Sequence, residues 1–408
     1  MQQRSGDVVS AILKYNAGRD PERLAMKYLA LRRDAHSFLR GTCHRYMDCL
    51  PAHPLLQQAP PAWSCGDLHL ENFGSYVGDN GYATFDINDF DEAALAACVH
   101  DPLRLVTNLL VLTERLALSA ADALAMGRHF IDLYAQALGE GKARWVERNT
   151  TQGLVRDLLD SLGERTAIGM LNTRTEVKAG RRRIRLDGVK ALPASAAQRE
   201  AVTELMLAFG AAQPEPSFYK PLDIARRISG NSSLGLERYI VLTRGTGSSD
   251  GNALLDLKLA TPSVLARAVA TRQPAWKSEA HRVVALQHRM QALPVAFLHA
   301  LHTGSRRSDN SLVLRALQPG QDRVDLDRCK GKPRRLARLL ETMAQTLAWA
   351  QLRSSGRQGA ASADALIAFA NQKKWRIQLL GLARQCSAQV ETDWKNYAEA
   401  FDEGAVSV

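Results

Sequence analysis

The chain has 408 residues, 46% of them hydrophobic and 23% charged, with a formal net charge of +11. Its length is enough to bury a large core and exceeds one compact domain, so two lobes are expected. No apolar run approaches the ~20 residues that span a bilayer, and Met1-Gln2-Gln3-Arg4-Ser5-Gly6-Asp7 lacks the basic and apolar blocks of a secretory signal. The expectation is a cytoplasmic protein with no membrane span. The positive excess suits an anionic ligand. Much of it is arginine spread through helical stretches, however, which favours solvated surface and disfavours a nucleic-acid partner. The six cysteines are scattered with no Cys-x-x-Cys pair, so free thiols are expected rather than zinc or a disulfide framework.

Residues 21 to 50 carry helical periodicity in two segments that break around residues 33 to 37. In the second, Phe38, Leu39, Cys43, Tyr46 and Met47 share a face, and Pro51 and Pro54 end it. A proline-bounded loop leads into Cys65-Gly66-Asp67-Leu68-His69-Leu70-Glu71-Asn72-Phe73-Gly74. The Gly78-Asp79-Asn80-Gly81 turn then precedes a short strand at 82–87, which runs into the acidic Asp86-Ile87-Asn88-Asp89-Phe90-Asp91-Glu92. Two helices are expected between Pro102 and Gly139, and Lys178 to Gly188 reads as a basic hairpin. Composition shifts near Pro214. Residues 238–243 and 253–258 read as strands joined by the glycine-rich turn 245–251 and preceded by Gly230-Asn231-Ser232-Ser233-Leu234-Gly235. A helix at 278–291, a strand at 311–317 and helices from Pro333 to Phe401 complete the chain. The expected organisation is α+β. Residues 1–213 form the first part of a helical lobe, 214–320 a small β-rich lobe, and 321–408 a helical return to the first.

Carboxylates are rarely buried unless they are paired or bind a cation. The acidic stretch between burying segments is therefore either a surface turn or a metal-centred site. Phosphoryl transfer needs a carboxylate beside the acceptor hydroxyl, an amide and a carboxylate on magnesium, a glycine-rich turn over the phosphates and a lysine on them. Asp67 lies five positions before Asn72, the spacing of a kinase catalytic loop. Asp89 follows a strand as a metal carboxylate should, with Asp86 and Asp91 as competitors, and this oxygen set suits magnesium better than zinc.

Gly66-Asp67-Leu68-His69-Leu70-Glu71-Asn72 resembles the Gly-Asp-x-His-x-x-Asn loop of aminoglycoside and choline phosphotransferases, members of the protein-kinase-like superfamily. Asn88-Asp89-Phe90-Asp91-Glu92-Ala93 resembles their metal-binding segment, and Asp101 the later aspartate that braces the catalytic loop. The whole chain also looks like a bacterial family of unknown function that combines this loop with Phe38-Leu39-Arg40-Gly41 and a late glycine-rich segment. The resemblance implies Asp67 and His69 as catalytic-loop residues and Asn72 and Asp89 as the magnesium ligands. Gly230, Ser232, Ser233 and Gly235 would cover the phosphates of ATP, with Lys258 on them and Glu279 as the lysine's partner.

The order of these parts is reversed relative to ordinary kinases, whose glycine hairpin and lysine come first. The expectation is therefore a two-lobed, kinase-like fold in circularly permuted order. The strand around Leu314 would serve as hinge, and a helix from Leu336 to Leu352 would stand for the one that normally enters the catalytic loop. The expected activity is ATP- and magnesium-dependent transfer of a phosphoryl, or alternatively nucleotidyl, group to an unidentified acceptor, a small molecule being favoured over a protein. Ser232 in the glycine loop motivates a non-catalytic nucleotide-binding alternative. Asp67, His69, Asp86 and Asp89 motivate a second one, a metal-dependent phosphoester hydrolase.

Overall fold

Asp20 accepts the Arg23 amide at 3.0 Å and Pro21 takes the first turn, so a helix starts at Pro21 and runs to Arg33. Asp34 repeats the device by accepting the Ser37 amide at 2.6 Å. The break at Asp34 is the expected one, but Thr42 also leaves helical geometry, so the two helices expected here are three, Pro21–Arg33, Ala35–Gly41 and Cys43–Asp48. The computed structural model describes residues 5–303, 310–319 and 322–406, an α+β arrangement rich in helix.

Two short antiparallel pairs carry the acidic stretch. Pro61–Ser64 pairs with Ala94–Ala97, and Phe73–Val77 pairs with Ala83–Ile87. Beneath them His100–Val111, Ala120–Gly139, Pro333–Arg353 and Lys374–Asp402 pack around one large apolar cluster that includes Leu105, Leu109, Phe130, Tyr134, Leu340 and Leu347. No described helix is long and apolar enough to cross a membrane.

The later part builds a six-stranded antiparallel sheet. Its spatial order is His299–His302, Ser311–Ala316, Ala253–Leu259, Arg238–Thr243, Pro221–Arg227, Ala191–Pro193. The hairpin expected from 238 to 258 forms its centre, and Lys258 sits opposite Arg238 on one side and Val313 on the other. Alternation gives the sheet two faces. Val241, Leu255, Leu257 and Leu314 pack with Val202 and Met206 of the Ala196–Ala211 helix, while Ile240, Leu242 and Leu254 pack with Leu171, Ile184 and Ala191. The β-rich part thus begins well before residue 214. Its edge strand is only three residues long and ends in Pro193, so it carries almost no strand signal in the sequence. The basic hairpin forms as Thr175–Lys178 and Arg181–Ile184.

Candidate active site

The early loop is held from one helix face. Asp101, Arg104 and Asn108 recur at i, i+3 and i+7 of His100–Val111, which places all three on the same side. The Asp101 carboxylate accepts the Cys65 and Gly66 amides at 2.8 and 3.0 Å, and the Asn108 carbonyl oxygen accepts the Leu70 amide at 3.1 Å. Between them the fully buried Arg104 donates to Oδ1 of Asp67 from Nε at 3.0 Å and Nη2 at 2.6 Å, and Nη2 also donates to the Leu39 carbonyl at 2.7 Å. Gly66 has φ +88, and a Cβ there would lie 2.2 Å from the Glu92 carbonyl oxygen, so glycine is required where this loop touches the acidic one.

Burial raises the pKa of Asp67 and nearby Asp89 adds to that, while Arg104 works to keep it ionised. The Cys43 thiol lies against the same carboxylate. Asn72 Nδ2 donates to the backbone oxygen of Asp67 at 2.6 Å, which fixes the amide; its Oδ1 accepts no hydrogen bond among the described residues. His69 caps the Leu70–Asn72 turn. Its Nδ1 meets the Glu71 amide at 3.2 Å and its Nε2 meets Arg40 Nε at 3.3 Å, and burial holds it neutral. A neutral imidazole accepts at one nitrogen only, so one of these contacts at a time is a hydrogen bond. Both ring nitrogens face protein groups, which is the placement of a loop brace. Glu71 collects His36, Arg40 and Arg115, and against the cost of burial these hold its pKa near 2.

The three candidate metal carboxylates separate by what they face. Asp86 accepts the Ala292 amide at 2.9 Å and the Ile87 amide at 2.8 Å, so it is committed to backbone. Asp91 forms an ion pair with Lys258. Asp89 is opposed by burial but is held below its ordinary pKa by Lys258, Arg315, Arg323 and Arg238. It adjoins Asn72 through the Asn88 amide, which donates to the Asn72 carbonyl at 2.8 Å. Among the described residues no group of three or more His, Cys, Asp or Glu side chains is arranged to hold a metal. Magnesium bound through one carboxylate, one amide oxygen and phosphate oxygens needs no such group.

Lys258 reaches this loop from the late hairpin. Burial, then Arg315, Arg323 and Arg19, lower its pKa to about 8 against the pull of Asp89. Its observed partner is Asp91 and not Glu279, which accepts from Arg282 Nε at 2.6 Å three residues along its own helix. Arg282 in turn donates to the backbone oxygens of Asp91 at 2.8 Å and Ala93 at 2.6 Å. Glu279 therefore touches the acidic loop only through that arginine. The glycine loop has Gly230 at φ +74 and Gly235 at φ +86, and it rests on the N-terminal helices. The Ser232 carbonyl accepts from Lys27 Nζ at 3.0 Å and Arg19 Nη1 at 3.0 Å, and the Ser233 hydroxyl donates to the Ser229 carbonyl at 3.0 Å.

Residues 19–400 match the model of a family described as an uncharacterized protein conserved in bacteria, DUF2252, a span that contains every side chain just described. The chain belongs to that family. No curated protein and no solved structure matches it significantly.

In this DUF2252 protein the residues that sequence reasoning missed are the cations of the N-terminal segment and the acid beside them. Lys27 is fully buried and also donates to Asn16 Oδ1 at 2.8 Å. Its position three residues after Leu24 and four before Leu31, on the apolar face of Pro21–Arg33, was the available signal. Glu92 accepts the Val264 amide at 2.5 Å, and burial, reinforced by Asp67 and Asp89, pushes its pKa from 4.5 up to about 7. The fold thus prefers protonated Glu92. Its contribution to stability is fully present at low pH and is lost as pH rises between about 4.5 and about 7. Measured by urea unfolding across pH, the stability of Glu92→Gln relative to wild type is expected to climb through that window by a few kcal/mol, on the order of ~1.4 per pH unit. A difference that stays flat from pH 4.5 to 7 would contradict this placement of Glu92.

Proposed function

We propose that this DUF2252 protein is an ATP- and magnesium-dependent phosphotransferase acting on a small hydroxyl-bearing acceptor, built on a two-lobed, circularly permuted kinase-like plan. The observation that carries the reading is the Lys258–Asp91 ion pair, which joins the hairpin of the six-stranded sheet to the acidic loop two residues past Asp89. Two segments far apart in sequence thereby share one site, and each brings the residue types that phosphoryl transfer requires.

Asp67 orients the acceptor and takes its proton. Both Arg104 bonds go to Oδ1, so Oδ2 is the oxygen the arginine does not engage. Asn72, through its unengaged Oδ1, and Asp89 would hold magnesium, which when bound supplies charge neutralisation between the phosphates. Lys258 exchanges Asp91 for phosphate oxygens, and the backbone of Gly230 to Gly235 covers them. Acceptor oxygen attacks the terminal phosphorus, the bridging P–O bond breaks, and ADP leaves. The Ser311–Ala316 strand pairs beside the Lys258 strand, as the hinge of the permuted plan must. The hydrolase alternative is weakened because Asp86 and His69 give their polar atoms to protein partners.

Calorimetric titration of ATP tests this. Binding is expected to require magnesium, to persist in Asp67→Asn, and to weaken about tenfold or more in Lys258→Ala and in Asp89→Asn, the scale of one charge-assisted contact. Absence of magnesium-dependent ATP binding in the wild type would remove the assignment.

A further inference from the structure

The cations around Asp89 outnumber the acids. Asp256, fully buried in the central strand, is shared by Arg227 at 2.6 Å, Arg238 at 2.6 Å and Arg315 at 3.5 Å, while Lys258 takes Asp91. Arg315 also donates to the Asn88 carbonyl at 3.2 Å, which sets it against the acidic loop. That leaves Arg323. Among the described residues it makes no hydrogen bond and no ion pair, although it is half-buried and lies among Arg40, Arg238, Arg315 and Asp89. Excess charge of one sign in a partly desolvated site is costly unless an opposite charge occupies it.

The backbone fixes Arg323 there. It forms a β-bridge with Gly74, and the next residue, Val324, donates its amide to the Phe73 carbonyl at 3.2 Å. A Cβ on Gly74 would lie 2.5 Å from the Asp322 carbonyl oxygen and 3.2 Å from the Arg323 Cα, so the glycine that follows Asn72-Phe73 makes the approach possible. Asp322 and Val324 are buried on either side, Asp322 in an ion pair with Arg165. The bridge sets Arg323 beside the loop that carries Asn72, and its charge acts on Asp89 and on His69.

We infer that Arg323 is a polyphosphate-binding residue, a guanidinium fork presented beside the catalytic loop to the terminal phosphate oxygens of the ligand, distinct from the contact made by Lys258. The inference rests on the phosphate-site reading above and adds a residue delivered by a third segment of chain. A guanidinium engages two phosphate oxygens at once, whereas an ammonium acts as a point charge. The fork and not merely the charge is therefore what matters.

The test uses the full-length protein and inorganic tripolyphosphate, followed by calorimetry without nucleotide. Wild type is expected to bind it. Arg323→Gln is expected to bind about tenfold or more weakly, and Arg323→Lys to fall between the two; millimolar guanidinium added to Arg323→Gln should restore part of the affinity, which a purely structural role would not allow. If Arg323→Gln fails to fold, Arg323→Lys carries the test alone, with several-fold weaker binding expected. Equal affinity of wild type and the folded variants overturns the role of Arg323 and leaves the site reading standing. No binding of tripolyphosphate to wild type overturns both.

Discussion

Asp67→Asn is expected to lower magnesium-dependent ATP consumption about 10²- to 10⁴-fold, the range over which a positioned general base acts, while ATP affinity stays within about threefold of wild type, a shift well under the ~1.4 kcal/mol of a tenfold change. The substitution keeps the shape of the side chain and removes its capacity to take a proton. It also leaves Arg104, fully buried, without its anionic partner. Some loss of stability is therefore expected, and activity must be read well below the unfolding transition. The division of effects is the informative part. A change in affinity alone would place Asp67 in ligand binding, and unchanged consumption would remove it from the chemistry.

The second large effect is on stability. Arg104→Leu should cost about 3–5 kcal/mol in denaturant unfolding, because it strips the cation from a buried carboxylate. It also leaves the Leu39 carbonyl without its donor and removes the guanidinium that lies 4.2 Å from the centroid of the Tyr46 ring. Adding Asp67→Asn to Arg104→Leu should recover part of that loss, since the amide no longer carries an unpaired charge, and the two changes should be strongly non-additive. Additive losses would mean that the pair does not couple. In Arg104→Leu the remaining carboxylate also titrates higher than before, so any residual activity should lose its acidic limb at a higher pH than in wild type.

What could be read from the sequence divides along physical lines. The early half of the candidate site, Gly66 to Asn72, was legible because its constraints are local or nearly so. Gly66 is demanded by one close approach, the Asp67–Asn72 spacing fixes an amide on a carbonyl five residues away, and Asp101 lies at the start of the next helix. The central hairpin was legible from alternation and its glycine-rich turn. The break at Asp34 was legible, whereas Thr42 makes no side-chain cap bond, and reading through it merged Ala35–Gly41 with Cys43–Asp48. Glu279 was drawn toward Lys258 because both were expected to flank one cleft, but a cation three residues away on the same helix won. The contacts on the Ser232 carbonyl come from Arg19 and Lys27, more than two hundred residues earlier. Backbone carbonyls carry no signature of their eventual donors, so nothing near residue 232 announces them. Arg323 is silent for the same reason, its role being set by strand pairing with Gly74.

The central claim is that the acidic loop and the late hairpin form one ligand site, and a double-mutant cycle on magnesium–ATP affinity tests it most directly. Lys258→Ala, Asp89→Asn and the double variant would be titrated beside the wild type. If both side chains engage one bound nucleotide, the double variant should bind more tightly than the product of the single losses implies, with a coupling of about 1 kcal/mol or more. Losses that multiply independently, or single variants with wild-type affinity, would contradict a site shared by these two segments.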